Sequence, residues 1–162
     1  MRSYKPLELR FYDLMLANAL HVSTAESCTG GMLSSRIINV PGASDIFNEA
    51  FVTYSNESKI KRLSVAKKTL DIYGAVSSEC VKEMAENLHN LTNCDLAISI
   101  SGIAGPTGGT DLKPVGTIWF GFWFNHQVES VLKQFSGSRY AIRKQASDFA
   151  LEHSMGLIDP DK

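Results

Sequence analysis

The stretch Thr24-Ala25-Glu26-Ser27-Cys28-Thr29-Gly30-Gly31 constrains this chain more than any other. It sets two nucleophile-type side chains, a carboxylate and a glycine pair between a strand signal and a helix signal. Before it, His21-Val22-Ser23-Thr24 is short and β-branched; after it, Met32, Leu33, Arg36, Ile37 and Val40 recur near helical spacing until Pro41-Gly42. The spacing predicts a strand-to-helix corner. A side chain there is exposed, and the free N–H groups of the new helix point at whatever it attacks. Two glycines let a substrate come close to the backbone. A plain glycine-bearing turn with a Ser or Thr cap fits the same residues, and the stretch alone does not separate the two readings.

A chain of 162 residues with 44% hydrophobic content suits one domain over 1–162 with a proper core. The formal net charge of −1, with both signs interspersed, leaves no electrostatic footprint for nucleic acid. No apolar run reaches membrane-spanning length, and Met1-Arg2-Ser3-Tyr4-Lys5-Pro6 lacks the apolar core of a secretory leader, so a soluble cytoplasmic protein with no membrane partner is expected. Cys28, Cys80 and Cys94 form no Cys-x-x-Cys pair, and His21, His89, His126 and His153 do not cluster. Neither a disulfide framework nor a metal site is expected, and no cofactor is implied.

In chain order, Leu7, Phe11, Leu14, Met15 and Asn18 predict a helix over 6–19. Pro41-Gly42-Ala43-Ser44 is expected as a loop and Ala50 to Tyr54 as a strand. A second strand-to-helix corner starts at Ser55, where Ser55 or Asn56 can cap a helix carrying Ile60 and Leu63. Lys67 to Tyr73 is a short polar element of undetermined type. Ser77 can cap a helix with Val76 and Val81 as a staple and Cys80, Met84, Ala85 and Leu88 on one face. Asp95 to Ser101 alternates large and small residues, as a strand covered on both faces does. Gly102 to Thr110 has no periodicity and reads as a loop, whereas Val115–Phe124 and Gln127–Phe135 flank Asn125-His126 as a hairpin. Ser138 caps a last helix expected to stop before Gly156. This order predicts an α/β fold with a mixed central sheet, and the loops after Ser27, Tyr54 and Ser101 gather at one edge if their strands are parallel.

A serine nucleophile needs a base, and with no clustered histidine the best-placed candidate is Lys59. Burial and the dipole of the helix that carries it both disfavour its ammonium. Tyr54 can relay or orient the proton. An exposed helix lysine is the commoner structural role. Cys28 competes with Ser27, because a thiol is the better nucleophile at neutral pH. Glu26, a carboxylate before a helix, is as readily a cap as a catalytic group. The Gly102–Thr110 loop can wrap a phosphate with backbone N–H groups but matches neither the Walker nor the Rossmann pattern. Arg139 and Arg143 share a helical face, with Arg139 in a first turn where a positive charge is unfavourable unless an anion is near.

These stretches resemble the CinA C-terminal domain family, whose standalone members are nicotinamide-nucleotide amidases of the PncC type. Ala25-Glu26-Ser27-Cys28-Thr29-Gly30-Gly31, Val40-Pro41-Gly42-Ala43-Ser44, Tyr54-Ser55-Asn56-Glu57-Ser58-Lys59, Gly74-Ala75-Val76-Ser77, Gly102-Ile103-Ala104-Gly105-Pro106, Lys113-Pro114-Val115-Gly116-Thr117 and Gly137-Ser138-Arg139 with Arg143 carry the match. The resemblance implies a three-layer α/β/α sandwich and hydrolysis of nicotinamide mononucleotide to nicotinic acid mononucleotide and ammonia. It puts the nucleophile on Ser27 and the base on Lys59, with Tyr54 beside them, and implies a homodimer. Substrate contacts are expected from Cys28, Thr29, Gly30, Gly31, Ser101, Gly102, Ala104, Gly105, Gly108, Gly109, Arg139 and Arg143, with the oxyanion held by helix N–H groups at Cys28 to Gly30. The family's glycine pair before Tyr54 is replaced by Asn48-Glu49-Ala50-Phe51, and Ser101 stands where threonine is usual. The alternatives are a nucleotide-binding or interaction module without turnover, and a cysteine hydrolase using Cys28.

Overall fold

A computed structural model describes residues 5–161. The first four residues, on which the expectation of no leader partly rests, lie outside them. Five strands, β1 (Val22–Glu26), β2 (Phe47–Val52), β3 (Leu96–Gly102), β4 (Thr117–Phe124) and β5 (Gln127–Gln134), form one sheet in the order β2-β1-β3-β4-β5. β2, β1 and β3 run parallel, and β4 and β5 are antiparallel additions. The sheet is therefore mixed, as expected. The hairpin turns where Asn125 and His126 both have positive φ, as a tight two-residue connection requires.

Helices α1 (Leu7–Ala17), α2 (Met32–Ile38) and α6 (Arg139–Ile158) pack together on one face; α3 (Asn56–Leu63), α4 (Lys67–Tyr73) and α5 (Ser78–Thr92) pack on the other. The alternation in β3 explains this asymmetry. Leu96, Ile98 and Ile100 join Phe11, Met15, Leu33, Ile142 and Ala150 in the larger core. The opposite face presents the small Ala97 and Ser99, so α5 approaches closely enough for the Ser99 hydroxyl to donate to the Val81 carbonyl at 2.6 Å. Gly121 belongs to the same close contact: a Cβ there would sit 2.2 Å from the Val81 oxygen.

Several expectations shift. Lys67 to Tyr73 is helical, and Ala43–Asp45 makes one 3-10 turn inside the expected loop. β1 runs to Glu26, so the corner starts later than the pattern suggested. β2 starts earlier, at Phe47, and ends before Tyr54. The last helix passes through Gly156, because Leu157 and Ile158 still pack on the core while a Cβ at Gly156 would meet nothing. Among the described residues, no helix is long and apolar enough to cross a membrane.

Candidate active site

Parallel β1, β2 and β3 send their carboxyl ends to one sheet edge, the usual ligand location in α/β folds. A cleft of about 280 Å³ opens there, lined by Ser27, Cys28, Tyr54, Asn56, Lys59, Ala75, Val76, Ser101, Gly102, Ile103, Ala104, Gly105, Thr107, Gly108 and Arg139. Among the described residues, no carboxylate is in that lining.

The Ser27 turn is held from below by Glu26. Its side chain is fully buried and accepts from the N–H groups of Gly31 at 3.0 Å, Leu33 at 3.1 Å and Ser34 at 2.8 Å, and from the Ser34 hydroxyl. A carboxylate in the strand thus caps α2 across the intervening turn and complements the helix dipole. This corrects two expectations. The N-terminal N–H groups of α2 are already taken, and Cys28 to Gly30 precede the helix, which begins at Met32. Gly30 and Gly31 supply the positive φ values of +59° and +94° that bring the chain round. Within the turn, Ser27 N–H donates to Ile100 O and Gly30 N–H to Ser27 O. No other residue among those described accepts from the N–H of Cys28 or of Thr29, the Cys28 N–H facing only its own thiol.

Lys59 enters from the second corner, where the Ser55 hydroxyl caps α3 by accepting from Ser58 N–H at 3.1 Å. Its side chain is 1% exposed and has no carboxylate partner among the described residues. Nζ lies 3.1 Å from Ser27 Oγ, 2.8 Å from the Thr53 carbonyl and 3.5 Å from the Tyr54 carbonyl. Desolvation lowers its pKa below the ordinary lysine value, against a smaller opposing influence of the Cys80 and Cys28 thiols. Cys28 behaves oppositely. Its side chain joins the core, and burial pushes its thiol up to about 12.

The other expected contacts divide. Ser101, Gly102, Ala104, Gly105, Gly108 and Arg139 line the cleft; Thr29, Gly30, Gly31, Gly109 and Arg143 do not. Arg143 instead donates from Nε to Cys28 O at 3.0 Å and from Nη2 to Thr29 O at 2.8 Å. With Gly30 and Gly31 it faces a separate groove of about 870 Å³, where Glu8, Arg36, Asp148 and Lys144 pair with one another and Glu152 adds a further carboxylate. That groove is larger, but neither Ser27 nor Lys59 is among its described lining residues. Tyr54 projects its ring outward, 61% exposed, and its hydroxyl accepts from Arg139 at 2.9 Å rather than meeting Lys59. Arg139 also donates to Gly105 O at 2.7 Å, tying the glycine loop to the cleft's rim.

Asn56, Ala75, Val76, Ile103 and Thr107 complete the lining without having been expected there, although each lies in or beside a motif noted above. The Thr53 carbonyl had no sequence signal at all, since every residue has one. Among the described residues, no group of three or more His, Cys, Asp or Glu is placed to hold a metal.

Known proteins share this fold. A chain from Klebsiella pneumoniae described as a competence-damaged protein (CinA) superfamily protein superposes with a TM-score of 0.91 at 37% identity, covering 94% of this chain and 95% of that one. Another of the same description from Escherichia coli gives 0.90 at 34% identity, over 93% and 88%. A CinA-like protein of Petrotoga mobilis is 46% identical over 96% of this chain and 38% of its own length, and one of Thermotoga neapolitana is 51% identical over 86% and 34%. The chain spans little more than a third of these two curated relatives. Residues 4–158 match the CinA C-terminal domain family, and the chain belongs to it.

Proposed function

We propose that this domain is a serine amidase acting on nicotinamide mononucleotide, with Ser27 as nucleophile and Lys59 as base. The observation that carries the reading is the 3.1 Å contact between a buried, carboxylate-free lysine and a serine on a turn. A neutral amine has two hydrogens and one lone pair. Thr53 O and Tyr54 O are acceptors for the hydrogens, which leaves the lone pair for the Ser27 hydroxyl. Desolvation favours that neutral form.

In this mechanism Ser27 Oγ attacks the carboxamide carbon as its proton moves to Lys59 Nζ. The N–H groups of Cys28 and Thr29, which no other described residue accepts from, receive the developing oxyanion, a role worth several kcal/mol. Collapse breaks the C–N bond, Lys59 returns the proton to the departing ammonia, and water then releases the acyl-enzyme. Arg139 and the backbone of Gly105 to Gly108 are the groups available for a phosphate at the rim, and a cleft without carboxylates suits an anionic substrate. Tyr54 would steady Arg139 and does not carry the proton.

A thiol at about 12 leaves little thiolate at neutral pH, which speaks against a cysteine hydrolase. Incubation of the purified protein with nicotinamide mononucleotide should release ammonia and nicotinic acid mononucleotide stoichiometrically. Tight binding without ammonia would instead mark a nucleotide-binding module.

A further inference from the structure

The Ser27 turn leaves one question of geometry: what aims its free N–H groups. Ser27 N–H is spent on β3, Gly30 N–H on Ser27, Met32 N–H on Thr29, and those of Gly31, Leu33 and Ser34 on Glu26. Cys28 O has no partner among the described residues but Arg143 Nε; Thr29 O takes Arg143 Nη2 at 2.8 Å beside Met32 N–H at 3.1 Å. In a trans peptide the carbonyl and the N–H point in opposite directions. The Cys28–Thr29 bond is trans, so the grip on Cys28 O also fixes the direction of Thr29 N–H.

We propose that Arg143 is a positioning residue that sets the oxyanion-binding Thr29 N–H by holding Cys28 O and Thr29 O from outside the cleft. The inference rests on the reading of Ser27 as nucleophile, and it replaces the substrate contact that the resemblance implied for this arginine. A planar guanidinium spans two carbonyls at once, which an ammonium on a flexible stem does not reproduce. The arginine reaches the turn from α6, 115 residues along the chain, and the same side chain meets Gly30, whose added Cβ would lie 3.5 Å from Nη2.

The experiment compares wild type, Arg143→Lys and Arg143→Met on three substrates: nicotinamide mononucleotide, the same molecule without its phosphate, and p-nitrophenyl acetate. Folded sites are counted with a fluorophosphonate that labels Ser27, so rates are read per competent site. Both variants should lose about 100-fold in kcat, the loss expected when a reacting group is misplaced by an ångström, with KM little changed. The loss should be the same with and without the phosphate, ester acylation should slow in parallel, and lysine should not rescue. A defect seen in KM and confined to the phosphate-bearing substrate would overturn the proposal in favour of a phosphate ligand. Normal turnover per labelled site, or rescue by lysine, would overturn it as well. If wild type acylates with the ester yet releases no ammonia from the nucleotide, the amidase reading fails, and the positioning role is judged on ester acylation alone.

Discussion

The two strand-to-helix corners that meet in the cleft hold their helices by opposite means. Between β2 and α3 the cap is local: Ser55 accepts from Ser58, three residues on. Between β1 and α2 the cap comes from inside the preceding strand, Glu26 reaching N–H groups five, seven and eight residues ahead, while Arg143 grips the turn from a distant helix. A local cap fixes a helix start and little else. The long-range one frees the four residues between Glu26 and Gly31 from capping duty, so Ser27 can project and the N–H groups of Cys28 and Thr29 stay unspent. The first corner displays the Ser27 hydroxyl, and the second brings a buried amine to 3.1 Å from it.

The largest expected effect removes what only the first corner displays. Ser27→Ala should lower ammonia release by about 10⁴-fold or more while leaving the circular dichroism spectrum and unfolding midpoint close to wild type. A variant retaining a tenth of the rate would move the nucleophile elsewhere. Next comes the cap itself: Glu26→Ala leaves three N–H groups without their acceptor and should cost about 3 kcal/mol in urea unfolding. Ser55→Ala, the matching change at the local corner, should cost only about 1 kcal/mol. Equal costs would erase the contrast between the corners.

Smallest should be the change at Cys28, because substitution keeps its backbone N–H and the thiol is buried. Cys28→Ala is expected to turn over within about 3-fold of wild type, and iodoacetamide should inactivate the native protein slowly, as a thiol at about 12 offers little thiolate. Rapid inactivation prevented by substrate would revive the cysteine alternative.

Local signals explain what was legible beforehand. Ser55, Ser77 and Ser138 were readable as caps because each helix follows its cap directly and each hydroxyl accepts from an N–H three residues on. The hairpin at Asn125-His126 and the alternation of β3 were readable for the same reason, as was the gathering of three strand ends at one edge. Glu26 and Arg143 were ambiguous because their partners lie across a turn or a hundred residues away, and a charged side chain carries no mark of which backbone group it will meet. Tyr54 reaches Lys59 through its main-chain carbonyl while its side chain turns out to Arg139, a split between backbone and ring that no local pattern signals. The end of α6 was set by packing of Leu157 and Ile158, which overrode the glycine.

The central claim is that Lys59 is a neutral amine serving Ser27, and the pH dependence of kcat/KM in wild type, Lys59→Arg and Lys59→Met tests it most directly. Burial lowers the lysine's pKa below its ordinary 10.5, and a base must be unprotonated to act. Activity should therefore rise with pH through that lowered value, giving wild type an acid limb that is missing from the residual activity of Lys59→Met. Lys59→Arg should be inactive across the range, since a guanidinium keeps its proton. An arginine variant turning over near the wild-type rate at pH 7 would contradict the dyad and leave Ser27 without a base.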